Sequence, residues 1–231
     1  MDKAIYLGGT ITERAFKSAE LHTRLTKALT TAYKLKEFWK GCNAPLKWKL
    51  QVYNAVIVSQ LIYGLNTIHL TDSCLQSLDT FQFRGLRQIL RTEAAFYSGI
   101  SHNKVLEKAN IVMNSGENLD ITWEQFKTEK QGANVKIERL SILIKKKQNT
   151  LLGHLIRTEE QDGIMREVSI GTDPLKVSRV TTNKRRVGRP RQNWVVETRN
   201  RVSLLINEQP FDDKNALHHA NLVSAAVDRN F

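Results

Sequence analysis

The densest chemistry in the chain is cationic. The run Lys184-Arg185-Arg186-Val187-Gly188-Arg189-Pro190-Arg191 places five positive side chains within eight residues. Gly188 and Pro190 disfavour a helix there, so the segment is expected to lie extended, a shape that can follow a phosphate backbone or enter a narrow groove. Each Lys or Arg set against a phosphate releases a counterion, which makes affinity steeply salt-dependent. The competing readings of this run are a nuclear import signal and a solvated linker. A second cluster, Lys145-Lys146-Lys147 with Lys136, Arg139 and Arg157, falls where the apolar spacing is helical. Successive helical residues are turned by about 100°, so three consecutive lysines cannot share one stripe. Lys145 and Lys146 are taken as the pair that meets phosphate.

Other chemistries fare worse. Zinc requires Cys or His ligands at short paired spacings, and Cys42 and Cys74 lie far apart among six scattered histidines. No Walker loop is present, because Gly8-Gly9 lacks the Gly-Lys-Ser/Thr that holds phosphate and magnesium. Phe211-Asp212-Asp213 resembles the paired aspartates of two-magnesium nucleotidyl transfer, which would make the chain a nuclease or polymerase. Such a pair belongs in a tight turn between two apolar strands. Here Pro210 precedes it and a helical run follows, so Asp212 and Asp213 read as carboxylates capping a helix N-terminus. No catalytic residue, metal site or cofactor is therefore expected. Trp194 could stack on a base, but a Trp followed by Val195-Val196 more readily anchors a helix to a core. Gly188-Arg189-Pro190 resembles the centre of an AT-hook, a minor-groove element, with Val187 where the AT-hook has Arg.

The elements that must carry these residues are helical. Gly 12 and Pro 4 in 231 residues is a shortage of breakers, and 41% hydrophobic with 25% charged residues describes a folded chain. Leu21, Leu25, Ala28, Ala32, Leu35 and Trp39 step by four and three, predicting one long helix from a Thr10 or Thr12 cap to about Lys40, with Gly41 as its stop. Asn43 is the expected cap of a second helix bearing Leu46, Leu50, Tyr53, Ile57 and Leu61, ended by Gly64. Thr71-Asp72 caps a third, with Leu75, Leu78, Phe81, Leu86, Ile89 and Leu90 inside, and Ser101 begins a shorter fourth. Asn110 to Ala133 reads as an acidic connector, and Asn134 to Arg157 as a further helix. Ala4-Ile5-Tyr6-Leu7 is a short β-prone run for which no partner strand is evident, although a lone strand needs one. The expected fold is mainly α: a helical bundle with one short N-terminal strand and a basic helical or extended C-terminal region.

Lys and Arg number 35 against 23 acids, a net charge of +12. Between Leu175 and Arg201 nine cations face only Glu197, two thirds of that excess. So basic a chain is expected to have an anionic partner, most often nucleic acid. Two cysteines make no disulfide framework, and Met1-Asp2-Lys3 begins no apolar signal segment. The expected setting is intracellular, in nucleus or cytoplasm, with no membrane partner.

Several separated segments match one family in order. Tyr6-Leu7-Gly8, Ser59 to Gly64, Phe81-Gln82-Phe83-Arg84-Gly85-Leu86-Arg87-Gln88-Ile89-Leu90, Leu152-Gly153-His154-Leu155-Ile156-Arg157, and Gly188 to Trp194 together resemble the C-terminal part of reverse transcriptases of non-LTR (LINE-type) retrotransposons. No segment is specific alone; their shared order carries the resemblance. It implies a residual palm strand over residues 1–11, a thumb-like bundle over 12–109, a connector over 110–133, a basic helix over 134–170, a basic linker over 171–192 and C-terminal helices over 193–231. It implies RNA or DNA, gripped as a template–primer duplex, as partner, with the parent polymerase's palm and fingers as a further one. Arg84 and Arg87, three residues apart on one helix, would be backbone contacts, joined by Lys145, Lys146, Lys184, Arg185, Arg186, Arg189 and Arg191. The palm carboxylates of the family precede these segments, so the chain is expected to bind rather than catalyse, as a fragment or element remnant. The alternatives are a non-catalytic helical interaction protein and a magnesium-dependent enzyme using Asp212 and Asp213.

Overall fold

The computed structural model describes residues 3–6, 9–12, 17–115, 136–157, 194–207, 209 and 216–227. They are mostly helical, as the spacing of apolar residues requires. Among the regular elements described, the hairpin departs from helix: β1 (Lys3–Tyr6) pairs antiparallel with β2 (Gly9–Thr12), Lys3 opposite Thr12 and Tyr6 opposite Gly9. The partner the first strand needs is therefore the segment immediately after it. Thr10, Ile11 and Thr12 are β-branched and suit a strand, which overrides the helix-capping role expected of Thr10 and Thr12.

The expected first helix is two: α1 (Lys17–Lys34) and α2 (Lys36–Lys40), separated at Leu35. Leu21, Ala28 and Trp39 are buried, and the Trp39 indole N–H donates to the Ala32 carbonyl at 3.0 Å, holding α2 against α1 across the break. The next helix begins not at an Asn43 cap but after Pro45, whose fixed φ suits a helix start. It runs as α3 (Leu46–Val52), a π-helical stretch Tyr53–Val58 and α4 (Ser59–Ile62), and Gly64 then turns the chain at φ 74°. The wider π stretch still points Tyr53, Ile57 and Leu61 inward. A 3₁₀ turn, Leu65–Thr67, follows.

α5 (Asp72–Ile89) starts where expected, with Thr71 Oγ1 accepting the Cys74 N–H at 3.4 Å. A single turn, α6 (Ala95–Ser98), leads to α7 (His102–Asn114), whose cap Ser101 accepts the Lys104 N–H at 3.4 Å. α7 thus extends through Asn114, so the connector does not begin at Asn110. α8 (Leu140–Arg157) begins later than expected, because residues 136–139 are held in another way. The Asn110 amide donates to the Ile137 carbonyl (2.9 Å) and accepts from the Lys136 and Ile137 amides (2.7 and 2.8 Å). α9 (Trp194–Asn207) and α10 (Ala216–Val227) follow.

Two compact units result. The first comprises Met1–Leu65 and Leu70–Leu143, the second Asn66–His69 and Ile144–Phe231, so α8 starts in one and continues in the other. The first unit packs α1 on α4 and α5, and α7 on α3 and α5. Leu50, Ile57, Leu61, Leu78, Leu86 and Val105 are fully buried in it, and each contributes about 1.5–3 kcal/mol by leaving water. Gly85 permits the closest approach: a Cβ there would lie 2.6 Å from the Tyr53 ring and hydroxyl. In the second unit Leu152, Ile156, Val195, Val202, Leu222 and Ala226 form the core. Among the described residues, no helix is long and apolar enough to cross a membrane.

Candidate nucleic-acid interface

Most of the expected phosphate-binding residues, Lys184, Arg185, Arg186, Arg189 and Arg191, lie outside the described residues, as do Asp212 and Asp213. Others are placed. Arg84 is exposed on α5. Arg87 is buried, and its guanidinium donates to the Glu93 carbonyl at 2.7 Å and the Ile100 carbonyl at 2.5 Å. The two arginines are therefore not an exposed pair: Arg87 clasps the loop between α5 and α7. Burial pulls its pKa down, yet a guanidinium stays charged at any ordinary pH.

The surrounding motif is structural in the same way. Gln82, buried, donates to the Glu138 carbonyl (2.7 Å) and accepts the Leu140 N–H (3.0 Å), which fixes the start of α8. Phe83 stacks on His102 with ring centroids 4.1 Å apart, and the Arg139 guanidinium sits 5.8 Å over the same Phe83 ring. Desolvation in this stack, then repulsion from Arg87 and Arg139, holds the His102 pKa below its ordinary 6.5.

In the second unit, Lys145 on α8 is half-buried, and Lys146 and Lys147 are exposed. Two cations counted in the basic C-terminal stretch turn inward. Arg199 is buried, and Arg201 donates to Asn149 Oδ1 at 3.0 Å and to the Lys145 carbonyl at 3.4 Å. Burial lowers the Arg201 pKa, and neighbouring Glu197 partly offsets that. Trp194 is half-buried against the core of its unit, the anchoring role expected of it.

The first unit also contains a groove of about 750 Å³, between α1 and α2 on one side and the end of α5 on the other. Its polar lining is dominated by Lys36, Lys40, Arg87 and Arg91, against one acid, Glu93. Lys36, Lys40 and Arg91 are exposed. Leu29 and Tyr33 line it too, unusually open for apolar groups at 61% and 73% exposure, and Lys36 Nζ lies 6.0 Å from the Tyr33 ring centroid. Leu29, Tyr33, Lys36 and Lys40 recur at four, three and four, one helical face, a signal that could have found them although none falls in the densest cationic runs. Arg91 carried no such signal, since its place depends on how α5 ends.

That ending is a Schellman turn. The Thr92 N–H donates to the Arg87 carbonyl at 2.8 Å, and the Arg91 N–H to the Gln88 carbonyl at 3.4 Å. Arg91 itself takes φ 50°, the left-handed conformation, and is the one non-glycine with positive φ among the described residues. Glycine normally fills this position because a Cβ strains it by about 1 kcal/mol. The turn thus sets a long cation at the groove where glycine would fold more easily. The geometry suits an extended polyanion with apolar faces. No protein-family model, curated protein or solved structure matches the chain.

Proposed function

We propose that this chain binds nucleic acid through its phosphates, and that it is a template–primer-holding segment of a non-LTR retrotransposon reverse transcriptase, acting in the nucleus or cytoplasm. The observation that carries the binding is Arg91: a cation kept at a strained backbone position, on a groove it shares with Lys36 and Lys40. Strain retained at one residue points to a use for that residue other than stability. The net charge of +12 and the basic run from Lys184 to Arg191 support the same polyanionic partner. The parentage rests on the ordered resemblance of the segments quoted above. In that family the carboxylates that bind metal precede those segments, so the role proposed for these residues is holding the strands rather than joining them.

Arg91→Gly tests the binding. Glycine relieves the turn, so thermal stability should stay level or rise by up to about 1 kcal/mol. Affinity for a labelled duplex, followed by anisotropy between about 50 and 200 mM salt, should fall, and the log–log salt slope should flatten by about 0.9. Adding Lys36→Gln and Lys40→Gln should flatten it by about 1.8 more. A variant that keeps both full affinity and slope refutes the groove as the binding surface.

A further inference from the structure

Phe96 and Tyr97 are the most exposed large apolar side chains among the described residues, at 91% and 78%. They sit on α6, a single turn, with their rings edge to face and centroids 5.4 Å apart. Neither ring contributes burial to the fold, yet the loop that holds them out is tied at both ends. Arg87 donates to the Glu93 carbonyl before the turn and the Ile100 carbonyl after it. The Ser98 hydroxyl donates to the Ala94 carbonyl at 3.1 Å and accepts the Ile100 N–H at 3.3 Å. Gly99, at φ 63°, closes the turn with its N–H on the Ala95 carbonyl at 3.0 Å. This is a presented pair, held in place by backbone contacts rather than by the rings.

We propose that Phe96 and Tyr97 are a stacking platform for unpaired bases of a single-stranded nucleic acid whose phosphates lie along Lys36, Lys40 and Arg91. The proposal deepens the phosphate-binding reading and rests on it. Two observations choose this occupant over an apolar protein surface. The loop starts inside the groove lining at Glu93, three residues from Phe96, which is at most about 11 Å of extended chain. The neighbouring cations would be left unpaired under an apolar partner, a costly burial, whereas a single strand brings anions to the cations and flat faces to the rings. A continuous duplex keeps its bases stacked on one another and offers those faces at its ends alone.

Three probes separate the outcomes: a labelled oligothymidine of about 15 nucleotides, near the upper site size of a single-strand-binding fold, a blunt duplex of similar charge, and inorganic polyphosphate, which has phosphates without bases. For Phe96→Ala/Tyr97→Ala in the full chain, oligothymidine affinity should fall roughly tenfold or more. Affinity for duplex and polyphosphate should change less than about threefold, and the salt slopes should hold. Tyr97→Trp should add indole fluorescence to that of the unaltered chain, and this added signal should be quenched by the oligonucleotide and not by polyphosphate. Equal losses on all three probes, no loss on the single strand, or an added indole signal that the oligonucleotide leaves unquenched overturn the platform. So does self-association that disappears in the double variant, which would make the pair a contact between copies. If the unaltered chain ignores all three probes, the phosphate-binding reading itself fails; if it binds them and the double variant matches it, the platform alone fails.

Discussion

Arg84 and Arg87 stand on the same helix, and a sequence reading sees two cations on one face. The fold separates them: Arg84 stays at the surface, while Arg87 gives its N–H groups to the Glu93 and Ile100 carbonyls. Between them Gly85 has an equally specific duty. Its missing side chain admits the Tyr53 ring and hydroxyl, both 2.6 Å from where a Cβ would stand. Burial raises the Tyr53 pKa far above the phenol's ordinary value, so this hydroxyl stays neutral. Gly85→Ala should therefore destabilise the chain by about 1–3 kcal/mol, in the manner of an overpacked core. In a Tyr53→Phe background, where one of the clashing atoms is gone, the penalty should shrink. Denaturant melts of the four variants in a double-mutant cycle measure this, and strict additivity would contradict the contact.

Between elements, the buried polar contacts do the positioning. Asn110 of α7 holds residues 136 and 137 through both ends of its amide, and Gln82 of α5 does the same for the start of α8. These bonds explain why residues 136–138 are not helix despite the apolar spacing: backbone groups of each are already engaged by side chains from elsewhere, and the helical bonding begins at the Arg139 carbonyl, which accepts the Leu143 N–H at 2.9 Å. The Phe83–His102 stack is the aromatic counterpart, joining α5 to α7. Because His102 titrates below its ordinary 6.5 in the fold, the unfolded chain takes up this proton first as pH falls. The stabilising contribution is present in full above 6.5 and is lost as pH drops towards the folded value. His102→Phe keeps a ring on Phe83 and removes the proton. The stability of the unaltered chain relative to His102→Phe should fall as the pH drops through the imidazole's ordinary 6.5, as read by denaturant melts, and parallel pH profiles would exclude this role.

For the molecule as a whole, charge dominates. Arg199 and Arg201 turn inward, so the expected phosphate contacts of the basic C-terminal stretch fall to the residues before Trp194. With about eight phosphates neutralised, three along the groove and five along the run, the log–log salt slope for a duplex should be about −7. Replacing Lys184, Arg185, Arg186, Arg189 and Arg191 together with Ala should remove most of it, leaving the groove's share. A slope unaffected by those five changes would remove the run from the interface and leave the groove to carry it.

The helices, their buried stripes and the Thr71 and Ser101 caps were legible in the sequence because they depend on neighbours a few residues away: apolar spacing of three and four, or a hydroxyl that meets its own helix's N–H groups. The β2 strand, the break at Leu35 and the late start of α8 were not, since each trades a local preference against a contact made elsewhere. The groove divides along the same line. Tyr33, Lys36 and Lys40 could be found on one helical face, but Arg91 joined them, and Arg87 left the surface, through contacts with distant or irregular backbone. Charge is additive along a chain and so can be read from composition. Which cations meet solvent depends on what each guanidinium finds to hydrogen-bond once α1, α2 and α5 have packed.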